Sequence, residues 1–356
     1  GMLTEQKDIT IYLSQETTAL AGTTFTAKSD TPLRPIKETP TVVQVITGKQ
    51  LVEAGYSNIQ QALMQETPGM NIQKVGFGNE ISMQGLDARH ILFLMDGERM
   101  TGEMAGNLDY ERFNLHAVER IEVIKGATAI FGNGANGGII NIITKQNKEH
   151  RPLGGMATLA YTDHNFFKSS EKTSGYRAGG QIYGEVGDFS YLASGTFTQT
   201  GSPISANGVY LSPRYGLGDT KSLNALVKFG YAFSERTHLE AMYNLFRSEQ
   251  QSPLIASGGK YLVSPRIGVP GKQPAEAIPE GIPHNHNAYI KLTSQELFSH
   301  TDLEVSLFAR GVKVVTDYRK HNPKSPRWEE TSGQALTKAL QTGARAQLLS
   351  RLRLAS

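Results

Sequence analysis

The stretch NLHAVERIEVIKGATAIFGNGANGGIINIITK, residues 114–145, decides the fold. Its letters predict one short helical turn, a strand at 121–124, a glycine-rich bend and a second strand at 139–144. The glycines of the bend permit positive φ angles or a close approach of the backbone to another surface. No motif of a water-soluble enzyme has this order of elements.

Three glycines in the stretch, Gly132, Gly134 and Gly137, have the G-x-G-x-x-G spacing of a dinucleotide-binding turn. That turn must leave a strand directly and open a helix whose N-terminus holds the pyrophosphate. Here the β-branched run at 138–144 predicts a strand, and the Gly-Lys-Ser/Thr of a P-loop is absent. The order of elements therefore argues against nucleotide binding.

Composition excludes several classes of protein. With 37 glycines, 38% hydrophobic and 19% charged residues, the 356-residue chain does not suggest a large dry α/β core. A net charge of +3 is too small to indicate a nucleic-acid partner. The absence of cysteine rules out disulfides and thiolate metal sites. No catalytic arrangement of Ser-His-Asp, Cys-His or H-E-x-x-H type is evident, so we expect no enzyme, no catalytic residue and no resident metal.

Two short helices are predicted upstream of this stretch. Thr47 with Gln50 has the pattern of a capping box, and Ser57 with Gln60 repeats it. The second helix carries Ile59 and Leu63 on one face. With strands near 41–46, 70–75, 81–85 and 91–95, these helices form a compact α+β unit.

After residue 152 the pattern changes to the alternation of strands. Between 223 and 231 the odd positions are Leu, Ala, Val, Phe and Tyr, whereas Asn224 and Lys228 lie on the other face. The pattern recurs after Leu239 and Leu303. One face suits lipid and the other a polar interior, as in outer-membrane β-barrels.

Connection lengths support a barrel. Strands are predicted near 156–162, 176–186, 189–199, 222–232, 237–247, 288–298, 302–313 and 342–354. Short turns (187–188, 233–236, 299–301) alternate with long loops (200–221, 248–287, 314–341), which is the layout of outer-membrane barrels. A soluble β-rich binding or adhesin module with an α+β cap shares the alternation and is the alternative, although its loops are seldom so unequal.

Several short segments of the sequence resemble, in the same order, segments of the plug domain of TonB-dependent outer-membrane receptors. They are ISMQG (81–85), ILFLMDG (91–97), VERIEVIKG (118–126), AIFG (129–132) and GGIINIIT (137–144), within a likeness that runs over residues 20–145. The resemblance implies a transmembrane antiparallel β-barrel with an α+β plug domain. The predicted domains are an N-terminal segment with a Pro-containing linker (1–40), the plug (41–148) and roughly the first eight barrel strands (149–356).

The barrel is expected to be incomplete. Transporters of this type have 22 strands around a plugged lumen, and eight strands enclose only enough room for side chains. The chain is therefore interpreted as the N-terminal portion of a longer receptor in the outer membrane of a Gram-negative bacterium. Gly1 before Met2 has the form of a cloning remnant, with the export signal left out.

The resemblance implies the periplasmic protein TonB as a partner. Residues 20–27 look like a divergent form of the segment that such receptors offer to TonB, and an extended segment of this kind can add to a partner's sheet edge. An ordinary edge strand is the alternative. The predicted contact residues are Leu20, Thr23, Thr24, Phe25 and Thr26.

The resemblance also implies uptake of a scarce extracellular ligand, with lipid bilayer as the surroundings and no cofactor required. Haem or a ferric chelate such as a siderophore is the expected cargo, because His and Tyr can ligate haem iron. The predicted ligand-binding residues lie in outward plug loops and long barrel loops: Gly76, Phe77, Gly78, Asn79, Thr101, Met104, Asn107, His284, His286, Tyr318 and His321.

Arg120 and Glu122 match plug residues that, in the family, pair with barrel carboxylates at the plug wall. A surface salt bridge is the alternative. The resemblance therefore predicts a plug–barrel contact at these two positions.

Overall fold

The computed structural model describes residues 42–54, 56, 59–74, 79–87, 90–100, 107–108, 115–126, 135–145, 152–163, 173–213, 215–258, 265–271, 278–297, 301–315 and 336–350. Within these ranges, no helix has both the length and the apolar character needed to span a membrane.

The N-terminal unit consists of short strands and two helices. In chain order these are β1 (Val42–Thr47), α1 (Gly48–Glu53), α2 (Ile59–Glu66), β2 (Met70–Lys74), β3 (Asn79–Met83), β4 (Leu86–Asp87), β5 (Ile91–Met95), β6 (Glu98–Arg99), β7 (Asn107–Leu108), a 3₁₀ turn (Leu115–Ala117), β8 (Val118–Lys125) and β9 (Gly138–Thr144). One sheet has the order β1-β8-β9-β5-β6, with β5 and β9 parallel. A second sheet contains β2, β3, β4 and β7.

The stretch at 114–145 has the predicted elements. The 3₁₀ turn precedes β8, and β9 follows the glycine-rich bend. Gly138 has a φ of +142°, and a Cβ there would lie 2.3 Å from the carbonyl oxygen of Ile124. Because a strand rather than a helix follows Gly137, the structure lacks the helix N-terminus that dinucleotide binding needs.

The first predicted capping box is present. The Gln50 backbone N–H donates to Thr47 Oγ1 at 3.2 Å, and the Thr47 N–H donates to Gln50 Oε1 at 2.8 Å. The second lies partly outside the described residues, because Ser57 does. Ile59 and Leu63 of α2 are fully buried, as the apolar face of that helix predicted.

Ten strands lie in the described residues of the C-terminal half. They are β10 (Gly154–Asp163), β11 (Ser174–Val186), β12 (Phe189–Gln199), β13 (Thr220–Ala232), β14 (Thr237–Gln250), β15 (Leu254–Gly258), β16 (Arg266–Pro270), β17 (Gly281–Ser294), β18 (Thr301–Val315) and β19 (Leu336–Ser350). Eight of them form one antiparallel sheet in the order β10-β11-β12-β13-β14-β17-β18-β19, and six of these eight lie within three residues of their predicted bounds.

Three details differ from the prediction. β19 begins six residues earlier than expected, at Leu336. β17 begins seven residues earlier than expected, at Gly281, because its first residues pair through a register shift that hides the alternation. The hairpin of β15 and β16 was missed, since five-residue strands inside a long loop carry little periodic signal.

The eight-stranded sheet has two chemically different faces. Its inner face packs on the N-terminal unit, and Leu192, Leu226 and Met242 join the unit's core. Its outward face exposes apolar side chains, among them Leu159, Tyr176, Ile182, Phe229, Ile290, Leu307 and Leu340. A soluble β-sandwich would bury such side chains against a second sheet, so the structure does not support the soluble alternative.

Aromatic rings mark both ends of the outward face. At the short-turn end, Phe189 stacks on Phe229 with ring centroids 5.9 Å apart. At the long-loop end, Tyr176 lies 5.7 Å from Phe197. Two aromatic girdles flanking an apolar band are typical of membrane barrels.

The long loops at 200–219 and 251–280 are joined to each other. Asp219 accepts hydrogen bonds from Ser202 Oγ at 2.6 Å and from Ser252 Oγ at 2.5 Å. Leu211 forms a β-bridge with Ile267 of β16. The described parts of these two loops therefore form one connected surface at the long-loop end.

Candidate functional site

A two-residue turn brings the N-terminal unit into contact with the sheet. Asp96 and Gly97 connect β5 to β6, with φ angles of +50° and +79°. Two positive φ angles define a type I′ hairpin turn, for which Asp-Gly is a favoured sequence. The turn presents the carboxylates of Asp96 and Glu98 to the inner face of the sheet.

Asp96 binds its own unit and the sheet with one carboxylate. It accepts hydrogen bonds from the Thr144 N–H at 2.9 Å and the Thr144 hydroxyl at 2.7 Å. Lys228 Nζ of β13 lies 3.2 Å away and the Tyr289 hydroxyl of β17 lies 3.3 Å away. Lys291 Nζ donates to the Asp96 carbonyl oxygen at 3.1 Å. Strands β9, β13 and β17 therefore meet at this turn.

Glu240 of β14 balances the charge of the two lysines. Its carboxylate lies 3.5 Å from both Lys228 Nζ and Lys291 Nζ, and it accepts a hydrogen bond from the Tyr289 hydroxyl at 2.5 Å. The side chains of Lys228 and Asp96 are only 8% and 7% exposed. Lys291 and Glu240 are 15% and 24% exposed. Lys228 and Asp96 are thus paired nearly out of water, and removal of one of these two charges would leave the other poorly compensated.

Glu98 makes a second charged contact with the sheet. Arg345 of β19 donates to Glu98 at 2.5 Å, and it also lies 3.3 Å from Glu304 of β18. Arg310 of β18 approaches Glu98 at 4.0 Å. We call Asp96, Glu98 and their partners Lys228, Lys291 and Arg345 the clasp.

The predicted contact residues Arg120 and Glu122 lie in β8 and are connected to the turn of the clasp through Asn141 of β9. Arg120 Nε donates to Glu122 Oε1 at 2.8 Å. Asn141 Nδ2 donates to Glu122 Oε2 at 3.0 Å, and Asn141 Oδ1 accepts from the Gly97 N–H at 3.1 Å. This chain of hydrogen bonds holds the turn in position. A direct pairing of Arg120 and Glu122 with barrel carboxylates stays a prediction.

Two groups of the N-terminal unit have shifted pKa values. A hydrogen bond to Glu66 raises the pKa of Tyr56. Burial lowers the pKa of Lys145, and the nearby Glu119 carboxylate partly offsets this. Both shifts are ordinary consequences of hydrogen bonding and desolvation.

The two predicted plug loops meet at their ends. β3 pairs with β7, so Asn79 lies opposite Leu108 and Glu80 lies opposite Asn107. This pairing joins the end of the loop at 76–79 to the end of the loop at 101–107. Five predicted residues of these loops lie outside the described ranges: Gly76, Phe77, Gly78, Thr101 and Met104.

The placement of His284 and His286 in a long loop was wrong. Both residues lie in β17, because that strand starts earlier than its alternation suggests. His286 Nδ1 is 2.7 Å from the hydroxyl of the outward-facing Tyr243, and the two histidine rings stack 6.0 Å apart. They therefore lie on the face opposite the clasp, which does not favour contact with a ligand held above the N-terminal unit.

The remaining predicted residues lie outside the described ranges. They are the loop residues Tyr318 and His321 and the TonB-contact residues Leu20, Thr23, Thr24, Phe25 and Thr26. Among the residues that the structure does describe, no group of three or more His, Asp or Glu side chains could hold a metal ion.

Residues 35–139 match the family model described as the TonB-dependent Receptor Plug Domain. The chain carries a TonB-dependent receptor plug domain. The N-terminal unit contains this plug domain, and the turn of the clasp is its charged contact with the sheet. The domain boundaries at 41 and 148 stay a prediction.

Curated relatives are receptors and transporters. The chain is 29% identical over 232 residues to the Rhizobactin receptor of Rhizobium meliloti, which covers 61% of this chain and 29% of that protein. It is 32% identical over 114 residues to the vitamin B12 transporter BtuB of Photobacterium profundum, which covers 31% of this chain and 19% of that protein. The chain thus spans less than half the length of these relatives.

Solved structures show the same fold. A ferric enterobactin receptor mutant from Pseudomonas aeruginosa in complex with enterobactin matches with a TM-score of 0.62 at 17% identity, over 89% of this chain and 48% of that one. The copper transporter OprC matches with a TM-score of 0.62 at 15% identity, over 88% and 44%. The eight-stranded sheet therefore has the fold of part of a TonB-dependent receptor barrel around its plug domain.

Sequence reasoning missed the clasp. It placed Asp96 and Gly97 in a stretch that resembles the family and Lys228 on the polar face of a strand, but it did not connect them. The available signal was charge at inward positions, where Glu240, Lys291 and Arg345 interrupt faces of mostly neutral side chains. A charge on the lumen face of a barrel strand needs a partner, and the plug supplies it.

Proposed function

We propose that this chain provides the plug and the first barrel strands of an outer-membrane receptor that imports a scarce extracellular ligand into the periplasm. The clasp carries the proposal, because it buries plug acids against cations of the inner wall while the outer wall exposes apolar side chains. That arrangement suits a gated pore in lipid. The relatives are receptors and transporters, which supports a function without catalysis.

Transport through such a pore requires energy from the periplasmic side. We infer that residues 20–27 add as a strand to a sheet edge of TonB, which would provide that energy. Strand addition depends on backbone N–H groups, and proline removes one of them. A proline in this segment is therefore expected to act differently from an alanine at the same position.

The test compares Thr24→Pro with Thr24→Ala in the complete receptor. Thr24→Pro is expected to abolish energised uptake, whereas Thr24→Ala keeps most of it, and both keep the ligand affinity of the parent. Deletion of residues 20–27 should behave like the proline variant. Uptake is measured with radiolabelled ferric chelate in cells, and affinity with the purified receptor. Equal uptake by the two point variants would place the TonB contact elsewhere.

We favour a ferric chelate over haem as the cargo. Two relatives in the comparisons, the Rhizobactin receptor and the ferric enterobactin receptor, carry siderophore names. The two histidines of β17 face outward and away from the plug, which removes one of the reasons to expect haem. Vitamin B12 is the second candidate, because two vitamin B12 transporters match the chain, over 114 and 232 residues.

An absorbance scan of the purified complete receptor separates these cargoes. A ferric chelate gives a charge-transfer band without a Soret band, haem gives a Soret band, and vitamin B12 gives its corrin spectrum. Fluorescence quenching by each compound then ranks their affinities. Tightest binding of haem or of vitamin B12 would contradict the siderophore proposal and leave the receptor assignment intact.

A further inference from the structure

The two acids of the clasp are held by different sets of hydrogen bonds. Asp96 accepts two of them from Thr144 of its own plug domain, at 2.9 and 2.7 Å, in addition to its contacts with the wall. Glu98 accepts from Arg345 of the wall through Oε1. Glu98 is 3% exposed, and its Oε2 has no hydrogen-bond donor among the described residues. The plug therefore buries a carboxylate with one of its two acceptor oxygens unused.

The arginine on the wall is also incompletely used. Arg345 donates to Glu98 through Nη2 at 2.5 Å, and the same nitrogen lies 3.3 Å from Glu304. Its Nε is buried and has no acceptor among the described residues. Arg310 Nη2 lies 4.0 Å from Glu98 Oε2, which is too long for a hydrogen bond. Arginine and carboxylate frequently form two parallel N–H···O bonds, but Arg345 and Glu98 form one.

The position of Glu98 in the fold explains this single bond. Glu98 begins the two-residue strand β6 and pairs with Met95 of β5. The turn before it is fixed on β9 by Asp96. The Glu98 side chain therefore approaches Arg345 from a set direction, in which one oxygen reaches a donor of Arg345. A carboxylate that is free to rotate could accept from Nε and Nη2 together, so it would bind Arg345 with better geometry than Glu98 does.

This contact lies in the half of the wall that is nearer to the short turns. Arg345 of β19 pairs with Ser306, the sixth of the fifteen residues of β18 counted from the short-turn end. Lys291 of β17 pairs with Ser306 from the other side. We expect an extracellular ligand to bind first at the long loops, at the opposite end of the strands. A ligand that crosses the barrel would therefore reach Arg345 late, after the plug has moved.

We propose that Arg345 and Arg310 form a binding site for a carboxylate group of the imported ligand, and that Glu98 occupies this site until the ligand replaces it. We call these two arginines the wall site. The ligand carboxylate and Glu98 are the same chemical group, and the free one can form the second hydrogen bond to Arg345. The exchange leaves no arginine uncompensated, because one anion replaces another. The inference rests on the proposed function for the route of the ligand, and it adds that the ligand carries a carboxylate.

The test uses the complete receptor in a neutral maltoside detergent, without cargo and without TonB. Glu98→Ala removes the plug carboxylate, and sodium acetate is then titrated against sodium chloride at constant ionic strength. Acetate is expected to raise the unfolding temperature of this variant by about 2–3 °C, because it binds the folded state, whereas the neutral analogue acetamide does not. The matched control is Glu296→Ala, which removes an exposed acid 3.1 Å from Arg236. Acetate should shift the control by no more than about 1 °C.

Replacement of the arginine separates its paired N–H groups from its charge. Lysine keeps the charge but cannot offer two parallel N–H groups to one carboxylate. In the Glu98→Ala background, Arg345→Lys is expected to weaken the acetate affinity about tenfold, and the control Arg236→Lys should leave it unchanged. If Glu98→Ala does not fold, Glu98→Gln keeps the volume of the side chain and provides the background for the same titrations.

Three results would overturn the wall site. They are equal responses to acetate and acetamide, an acetate response as large in Glu296→Ala as in the variant at position 98, and an acetate affinity that does not depend on arginine at position 345. Because neither cargo nor TonB is present, any of these results leaves the transport proposal standing. A failure of energised uptake, in turn, leaves the acetate measurements unaffected.

Discussion

Asp96 serves the plug and the barrel with the same carboxylate. Its bonds to Thr144 fix the β5–β6 turn on β9, and its contacts with Lys228 and Tyr289 fix that turn on the wall. Asparagine could occupy the same positive φ and keep part of the hydrogen bonding. Asparagine differs from aspartate in its charge and in replacing one acceptor oxygen by an NH₂ donor, so the carboxylate can be tested separately from the turn geometry.

Asp96→Asn is expected to loosen the plug at its contact with the barrel. Lys228 and Lys291 would then share Glu240 alone, and a broken buried pair costs about 3 kcal/mol or more. The loss should appear as faster hydrogen exchange of β5 and β9 in the complete receptor. The matched control is Asp188→Asn, in the exposed turn between β11 and β12, which should leave this exchange unchanged.

A double variant tests whether the destabilisation by Asp96→Asn comes from the positive charge of Lys228, which that substitution leaves without Asp96. Adding Lys228→Met to Asp96→Asn removes both partners, and exchange of both partners of a buried pair is often nearly neutral. We therefore expect the double variant to recover much of the protection. If instead the two losses add without interaction, Asp96 and Lys228 are not an energetic pair.

At the scale of elements, the pairing of β8 with β9 requires glycine at position 138 more strictly than at position 126. Gly126 and Gly138 both have positive φ angles, at +109° and +142°. A Cβ on Gly126 would meet nothing within 4 Å, whereas on Gly138 it would lie 2.3 Å from the carbonyl oxygen of Ile124. Substitution at Gly126 would introduce backbone strain alone, whereas substitution at Gly138 would introduce both backbone strain and a steric clash.

Gly138→Ala is expected to destabilise the plug by several kcal/mol more than Gly126→Ala. Both variants carry strain of about 1–2 kcal/mol from the positive φ, but only Gly138→Ala forces β8 and β9 apart. The comparison is made by thermal unfolding and by folding yield of the complete receptor. Similar losses in the two variants would mean that the backbone around Ile124 relaxes easily.

Most elements were predictable from sequence because their signals are local. The alternation in β13, β14 and β18, and the contrast between short turns and long loops, occur within windows of ten to twenty residues. The clasp could not be predicted in this way, since Asp96 and Lys228 are 132 residues apart in sequence. His284 was misplaced because a register shift near Gly281 interrupts the pattern at the start of β17.

At the scale of the whole molecule, the outward face decides whether this protein belongs in lipid. Leu307 lies near the middle of β18 on that face and is 54% exposed. Val209 is 41% exposed as well, but it lies in a long loop. Both residues are partly exposed, but only Leu307 lies on the outward face of the sheet. Val209 is therefore a matched control for a substitution at Leu307.

Leu307→Arg is expected to impair membrane assembly, and Val209→Arg is not. An arginine on the lipid face costs about 2–4 kcal/mol near the bilayer midplane, whereas a loop position in water tolerates it. Assembly is followed by the heat-dependent shift in electrophoretic mobility of the complete receptor in outer-membrane fractions. Normal assembly of Leu307→Arg would show that this face does not contact lipid.

The order of strands in the plug sheet also has a mechanical consequence. β1 forms one edge of this five-stranded sheet. The turn of the clasp connects β5 to β6 at the opposite edge. A force applied to the chain ahead of Val42 would act on β1, at the edge of the sheet furthest from the clasp. The ladder of six residue pairs between β1 and β8 is the first to be strained. Pulling on the chain ahead of Val42 is therefore expected to separate β1 from β8 before it disturbs the contact of Asp96 and Glu98 with the barrel sheet.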